Sequence, residues 1–95
     1  MTADSDPDPD AVRLWLVERS YDDRNLITLV YATPDGERML RKEQAATIMR
    51  QRGASVTAAV DAEPAALDAV PEEDRDRYAE EAARTAAGYE PGEEV

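Results

Sequence analysis

The 95-residue chain contains no cysteine, no histidine and no phenylalanine, and each of the first two absences closes a class of chemistry. Without cysteine there is no disulfide, no thiolate nucleophile and no zinc–thiolate site. Without histidine the usual general base and the commonest transition-metal ligand are gone, so Ser5, Ser20 and Ser55 have no imidazole to activate them. Glycine is scarce as well. The four glycines stand isolated at positions 36, 53, 88 and 92, which excludes a glycine-rich phosphate loop. No run approaches the roughly 18 apolar residues of a membrane-spanning helix, and the acidic amino terminus lacks the basic-then-apolar pattern of a secretion signal. These absences predict a cytoplasmic, non-enzymatic protein with no metal, no cofactor and no membrane partner.

Lysine is nearly missing too. Lys42 is the single lysine among 11 basic residues, which face 22 acidic ones for a net charge of -11. Self-repulsion of that size strains a small fold in dilute buffer and is relieved in concentrated salt, where the Debye length falls to about 3 Å at 1 M. With its arginine bias, its many alanines and its few large aliphatics, the composition resembles that of cytosolic proteins from salt-accumulating archaea. That resemblance implies a halophilic protein.

Residues 1–10 carry Asp4, Asp6, Asp8 and Asp10 among prolines and are expected to form a disordered acidic leader. Their alternating aspartates do not make a calcium loop, because Pro9 and Trp15 stand where that loop needs glycine and glutamate. Residues 11–89 read as one domain, and 90–95, broken by Pro91 and Gly92, as an acidic flexible tail.

Within the domain, 11–19 alternates as a strand, with Val12, Leu14 and Leu16 on one face and Arg13, Trp15, Val17 and Arg19 on the other. The β-branched run 26–33 is a second strand, and Thr33-Pro34-Asp35-Gly36 is a tight turn into a short third strand at 37–40. A first helix is expected over 41–52, capped by Gly53, and a fourth strand over 55–62. One helical turn near 64–70 brings Leu67 and Val70 to the core. A second helix over 71–87 follows, with Tyr78, Ala82 and Ala86 on its apolar stripe and i, i+4 pairs such as Glu73 with Arg77 outside. The expected fold is α+β: a three- to four-stranded antiparallel sheet with two main helices packed on one face, in the order β-β-β-α-β-α.

Segmental charge supplies the candidate site. Residues 37–53 hold 2 acidic and 5 basic residues, while the flanking segments are strongly acidic. Arg38, Arg41, Lys42, Arg50 and Arg52 either complement a helix end and the acidic second helix or receive an anionic partner. Trp15 completes the set, since helices covering the Leu14 face would leave Trp15, Val17 and Tyr31 open to a sheet-to-sheet contact. The function expected is a small interaction module that forms a homodimer or binds an acidic protein. A nucleic-acid-binding regulator using the basic segment is the alternative.

Overall fold

The computed structural model describes residues 10–53 and 56–95, apart from the side chains of Arg50 and Arg52. The expected leader, except for Asp10, lies outside the described residues. The elements are β1 (Val12–Tyr21), β2 (Leu26–Ala32), β3 (Arg38–Ala45), α1 (Ala46–Arg52), β4 (Ala59–Ala62), β5 (Asp68–Ala69) and α2 (Arg75–Gly88). Single 3₁₀ turns at Pro64–Ala66 and Glu72–Asp74 precede β5 and α2. The strands form one antiparallel sheet in the order β4-β1-β2-β3-β5.

The α+β class and the antiparallel sheet hold, but the counts and the order change to β-β-β-α-β-β-α, with one main helix and one short one. The largest correction falls on 41–45. Arg-Lys-Glu-Gln-Ala has a helical composition, yet these residues pair with β2 all the way to Leu26 opposite Ala45. Pairing along a buried strand overrides local propensity, so α1 shrinks to seven residues. β5 is two residues long, too short for any alternation to announce it. The turn expected near 64–70 forms, with Val70 1 % exposed and Leu67 packed against the core.

Two hydrogen-bonded turns set the strand register. At the β2–β3 hairpin the Gly36 amide donates to the Thr33 carbonyl (2.8 Å), while Asp35 accepts from the Thr33 hydroxyl (2.6 Å) and the Glu37 amide (2.9 Å). Gly36 has φ +73°, and α2 lies against it: a Cβ there would overlap the Arg75 carbonyl and sit 2.9 Å from the Ala79 amide nitrogen. At the β1–β2 turn Asn25 takes φ 68°, a left-handed backbone that asparagine tolerates, and its amide donates to the Thr47 hydroxyl (2.6 Å) to anchor α1.

The sheet has two apolar faces, and they are closed differently. On one, Val30 and Ala32 pack with Val70 and with Tyr78 of α2, and Val17 and Met39 fill in around them. Ala82 is fully buried there and keeps the helix close to the sheet. A β-bulge between Leu16 and Glu18 leaves Val17 outside the ladder with β2, and the Thr85 hydroxyl of α2 reaches the Leu16 carbonyl at 2.7 Å. On the other face Leu14, Leu29 and Tyr31 form the core, and each fully buried aliphatic contributes about 1.5–3 kcal/mol. No long helix covers it. Because β4 and β5 lie on opposite edges, the chain must cross the sheet twice, and Val56 and Leu67 of the crossing segments pack on this face. The Tyr31 hydroxyl donates to the Thr57 carbonyl (3.2 Å) to hold the first crossing down.

The segment expected as a flexible tail is hydrogen-bonded. The amides of Ala58 and Ala59 donate to the Glu93 and Pro91 carbonyls (2.8 and 3.0 Å), and the Val95 amide donates to Val56 (2.9 Å). The crossing segment has unused backbone groups, and the acidic end of the chain satisfies them.

Candidate interaction face

Antiparallel register decides which side chains share a face. Across β1, β2 and β3 the rows on the face under the two crossing segments, the strap-crossed face, are Leu16–Tyr31–Leu40, Arg19–Leu29–Lys42 and Tyr21–Ile27–Gln44. Strand alternation places Arg38 on the same side as Leu40. In a chain with 22 acidic residues, no sheet position on this face is acidic. Glu18, Glu43, Asp61 and Asp68 all fall on the α2 side.

The basic residues of the two sides differ in their partners. On the α2 side Arg13 forks onto Asp61 (3.0 Å), Arg77 reaches Glu18 (3.5 Å) and Arg41 reaches Glu43 (3.7 Å). On the strap-crossed side Arg19, Arg38 and Lys42 make no close ion pair with an Asp or Glu side chain among the described residues, and Arg38 acts on Asp35 only at longer range. Arg19 donates instead to a main-chain oxygen of Val95 at 3.2 Å. Beside it lies an open pocket of about 340 Å³ lined by Arg19, Ser20, Tyr21, Ile27 and Val56. Tyr21 is 65 % exposed, and Leu16, Ile27 and Leu40 are half-buried, so apolar surface remains accessible between the cations.

The expected site residues are therefore separated by the fold. Arg38 and Lys42 share the acid-free face, Arg41 points to the other, and the side chains of Arg50 and Arg52 lie outside the described residues. Trp15 pairs with Ala32 and Ala59, which puts it half-buried on the side that α2 covers. Tyr31, expected on that side, is 2 % exposed on the opposite one. Helix cover came to the Val30–Ala32 face because both faces of β1 and β2 are apolar, and only that one meets Tyr78 and Ala82. Plain alternation places Arg19 on the Trp15 face. The bulge at Val17 shifts the phase of the strand and delivers Arg19 to the face of Leu29.

Burial pushes the Tyr31 hydroxyl up from its ordinary range, an effect opposed by its bond to Thr57 and by the charge of Arg19. Tyr31 stays neutral and structural at any physiological pH. Among the described residues no group of three or more acidic side chains is arranged to hold a metal. No described helix is long and apolar enough to cross a membrane.

Over residues 8–95 the sequence matches a family described as of unknown function, DUF7967. The chain belongs to that family. No curated protein and no solved structure matches it. Family membership spans the whole sheet and both helices of this DUF7967 chain, so the acid-free face lies within the family's extent.

Proposed function

We propose that the protein is a non-enzymatic interaction module of a halophile, and that it binds an acidic segment of a protein partner on the strap-crossed face of its sheet. The observation that carries this reading is the set of three cations, Arg19, Arg38 and Lys42, around half-buried Leu16 and Leu40 on a face without a single acidic sheet residue. Such a surface offers apolar area for affinity and charge for selection. A symmetric homodimer through the same face would set these cations against their own copies, so a partner of opposite charge fits better. The nucleic-acid alternative is carried less far, since strand alternation turns Arg41 away from Arg38 and Lys42 and breaks the basic segment into two sides.

The test is fluorescence anisotropy of labelled octapeptides in which valine alternates with either glutamate or lysine. The glutamate peptide should bind and the lysine peptide should not. Reversing Arg19 and Lys42 to Glu should weaken binding tenfold or more with the melting temperature nearly unchanged, whereas Arg41→Glu should leave binding intact. Equal binding of both peptides, or capture of duplex DNA in place of the acidic peptide, would retire the reading. The halophilic part rests on the net charge of -11. Thermal unfolding should shift upward between dilute buffer and about 2 M potassium chloride, and a flat or falling midpoint would remove it.

A further inference from the structure

β3 is eight residues long, but β5 accompanies only Arg38 and Met39. Which backbone groups lie open beyond that point follows from three hydrogen bonds. The Arg38 carbonyl accepts from Thr33 on the β2 side (3.0 Å), and the Ala46 amide donates to Asn25 on the same side (2.8 Å). The Glu37 carbonyl accepts from Val70 on the outer side (2.9 Å). Even-numbered residues of β3 thus turn their N–H and C=O toward β2, and odd-numbered ones turn them outward. Arg41 and Glu43 present both groups to the open edge, with no strand beside them among the described residues.

We propose that this edge receives the partner's acidic segment as an added strand alongside residues 40–45. The inference rests on the face reading above and specifies how the partner is held: backbone bonds to Arg41 and Glu43, with alternate side chains falling beside Leu40 and Lys42 on the acid-free face. Between Met39, where β5 stops, and Ala46, where α1 begins, residues 40–45 leave room for a short strand. Charged side chains on an edge normally deter strand addition; here Arg41 is paired with Glu43 on the α2 side, and Lys42 on the acid-free face restricts the addition to an acidic strand.

A second copy of this chain fits the edge poorly. Two-fold antiparallel pairing must set outward-facing residues opposite each other. Arg41 opposite Glu43 of the second copy drives that copy's Ala45 onto the place of Asp68, which already pairs with Met39. Glu43 opposite itself brings like charges together.

Proline separates the possibilities, because it removes an N–H and its ring blocks an approaching strand, yet it is tolerated where that N–H faces outward. Glu43→Pro should melt within a few degrees of the native protein and lose the glutamate–valine octapeptide, with affinity falling tenfold or more. That substitution also deletes a negative charge, so electrostatics alone would strengthen the binding of an acidic peptide. Gln44→Pro, whose N–H faces β2, should lower the melting temperature clearly. On the native protein, of two peptides methylated on the odd or on the even amides, one should lose binding if the peptide adds as a strand, whatever the folding of the proline variants. Undiminished binding by Glu43→Pro or of both methylated peptides overturns strand addition and leaves the face reading standing. Failure of the native protein to bind the unmodified acidic peptide overturns the face reading itself.

Discussion

The two faces of the sheet are closed by different means and hold their charges differently. α2 covers one with a single continuous element whose small residues come close to the strands, and the arginines on that side meet carboxylates: Arg13 with Asp61, Arg41 with Glu43, Arg77 with Glu18. Two crossing segments lie over the other, leave Leu16, Ile27 and Leu40 half-buried, and leave Arg19, Arg38 and Lys42 without a close Asp or Glu partner among the described residues, Arg38 acting on Asp35 only at longer range. With 22 acidic residues for 11 basic ones, partners for those cations were abundant. Exposed ion pairs contribute only about 0–1 kcal/mol, so folding stability neither requires pairing on one face nor forbids it on the other. The asymmetry therefore speaks about what each face meets. The α2 side pairs its arginines internally, and the partner proposed above would meet the cations of the strap-crossed side.

The sharpest way to break this comparison is at the contact between α2 and the sheet. Gly36→Ala combines a left-handed backbone at φ +73° with an overlap onto the Arg75 carbonyl, and it should cost about 3 kcal/mol or more. Gly53→Ala at φ +66°, with open space around it, should cost about 1 kcal/mol. Each kcal/mol moves the midpoint of a domain this size by roughly 4–8 °C, so calorimetry separates the two easily. Equal losses would mean that α2 does not seat on the hairpin turn.

The sequence made the class of fold legible but not which face is closed, for the helices expected over the Leu14 face leave it to the crossing segments and α2 covers the Trp15 side. Alternation in β1 and β2, the Pro34–Gly36 turn and the alanine stripe around Tyr78 and Ala82 each reflect local chemistry, and each is where the residues imply. What stayed illegible depends on pairing. Residues 41–45 become a strand only because β2 extends to Leu26. The bulge at Val17 has no residue signature, and it moves Arg19 across the sheet. The basic segment was visible as composition, but its division between Arg41 on one side and Arg38 with Lys42 on the other is a property of strand geometry that a helical reading of 41–52 conceals. The helix pairs shifted similarly, from i, i+4 to Asp74–Arg77 and Glu81–Arg84 at i, i+3.

Packing offers a smaller and more symmetrical comparison. Ala82 is 0 % exposed beneath α2, so Ala82→Leu overpacks that contact and should cost about 1–3 kcal/mol. Ala62 at the β4 edge of the other face is only half-buried where it meets the core, and Ala62→Leu should stay within about 0.5 kcal/mol. Chemical denaturation of the two variants checks this directly. A large loss at Ala62 would show that the strap-crossed face is packed as tightly as its opposite.

The smallest effect is also the most selective, because it reads charge pairing alone. The Thr33 hydroxyl and then the Glu37 amide hold the Asp35 carboxyl below the usual range, with Arg38 adding the smallest share, and Arg13 does the same for Asp61. A carboxyl with a lowered folded pKa contributes stability that is present above its unfolded value of about 3.9 and is lost as pH falls through the folded one. Both groups lie on the α2 side or at the turn beneath it. Thr33→Val and Arg13→Gln should therefore each flatten the fall in melting temperature between about pH 5 and pH 2. Lys42→Gln on the strap-crossed face should leave that fall unchanged, since Lys42 has no carboxylate partner to lose among the described residues. At the alkaline end, burial raises Tyr31 on one face and Tyr78 on the other, so stability lost above about pH 10 should come from both. The acid limb alone distinguishes the faces. If Lys42→Gln flattened it as much as Arg13→Gln, the strap-crossed face would hold a carboxylate of its own and its charge would already be spent.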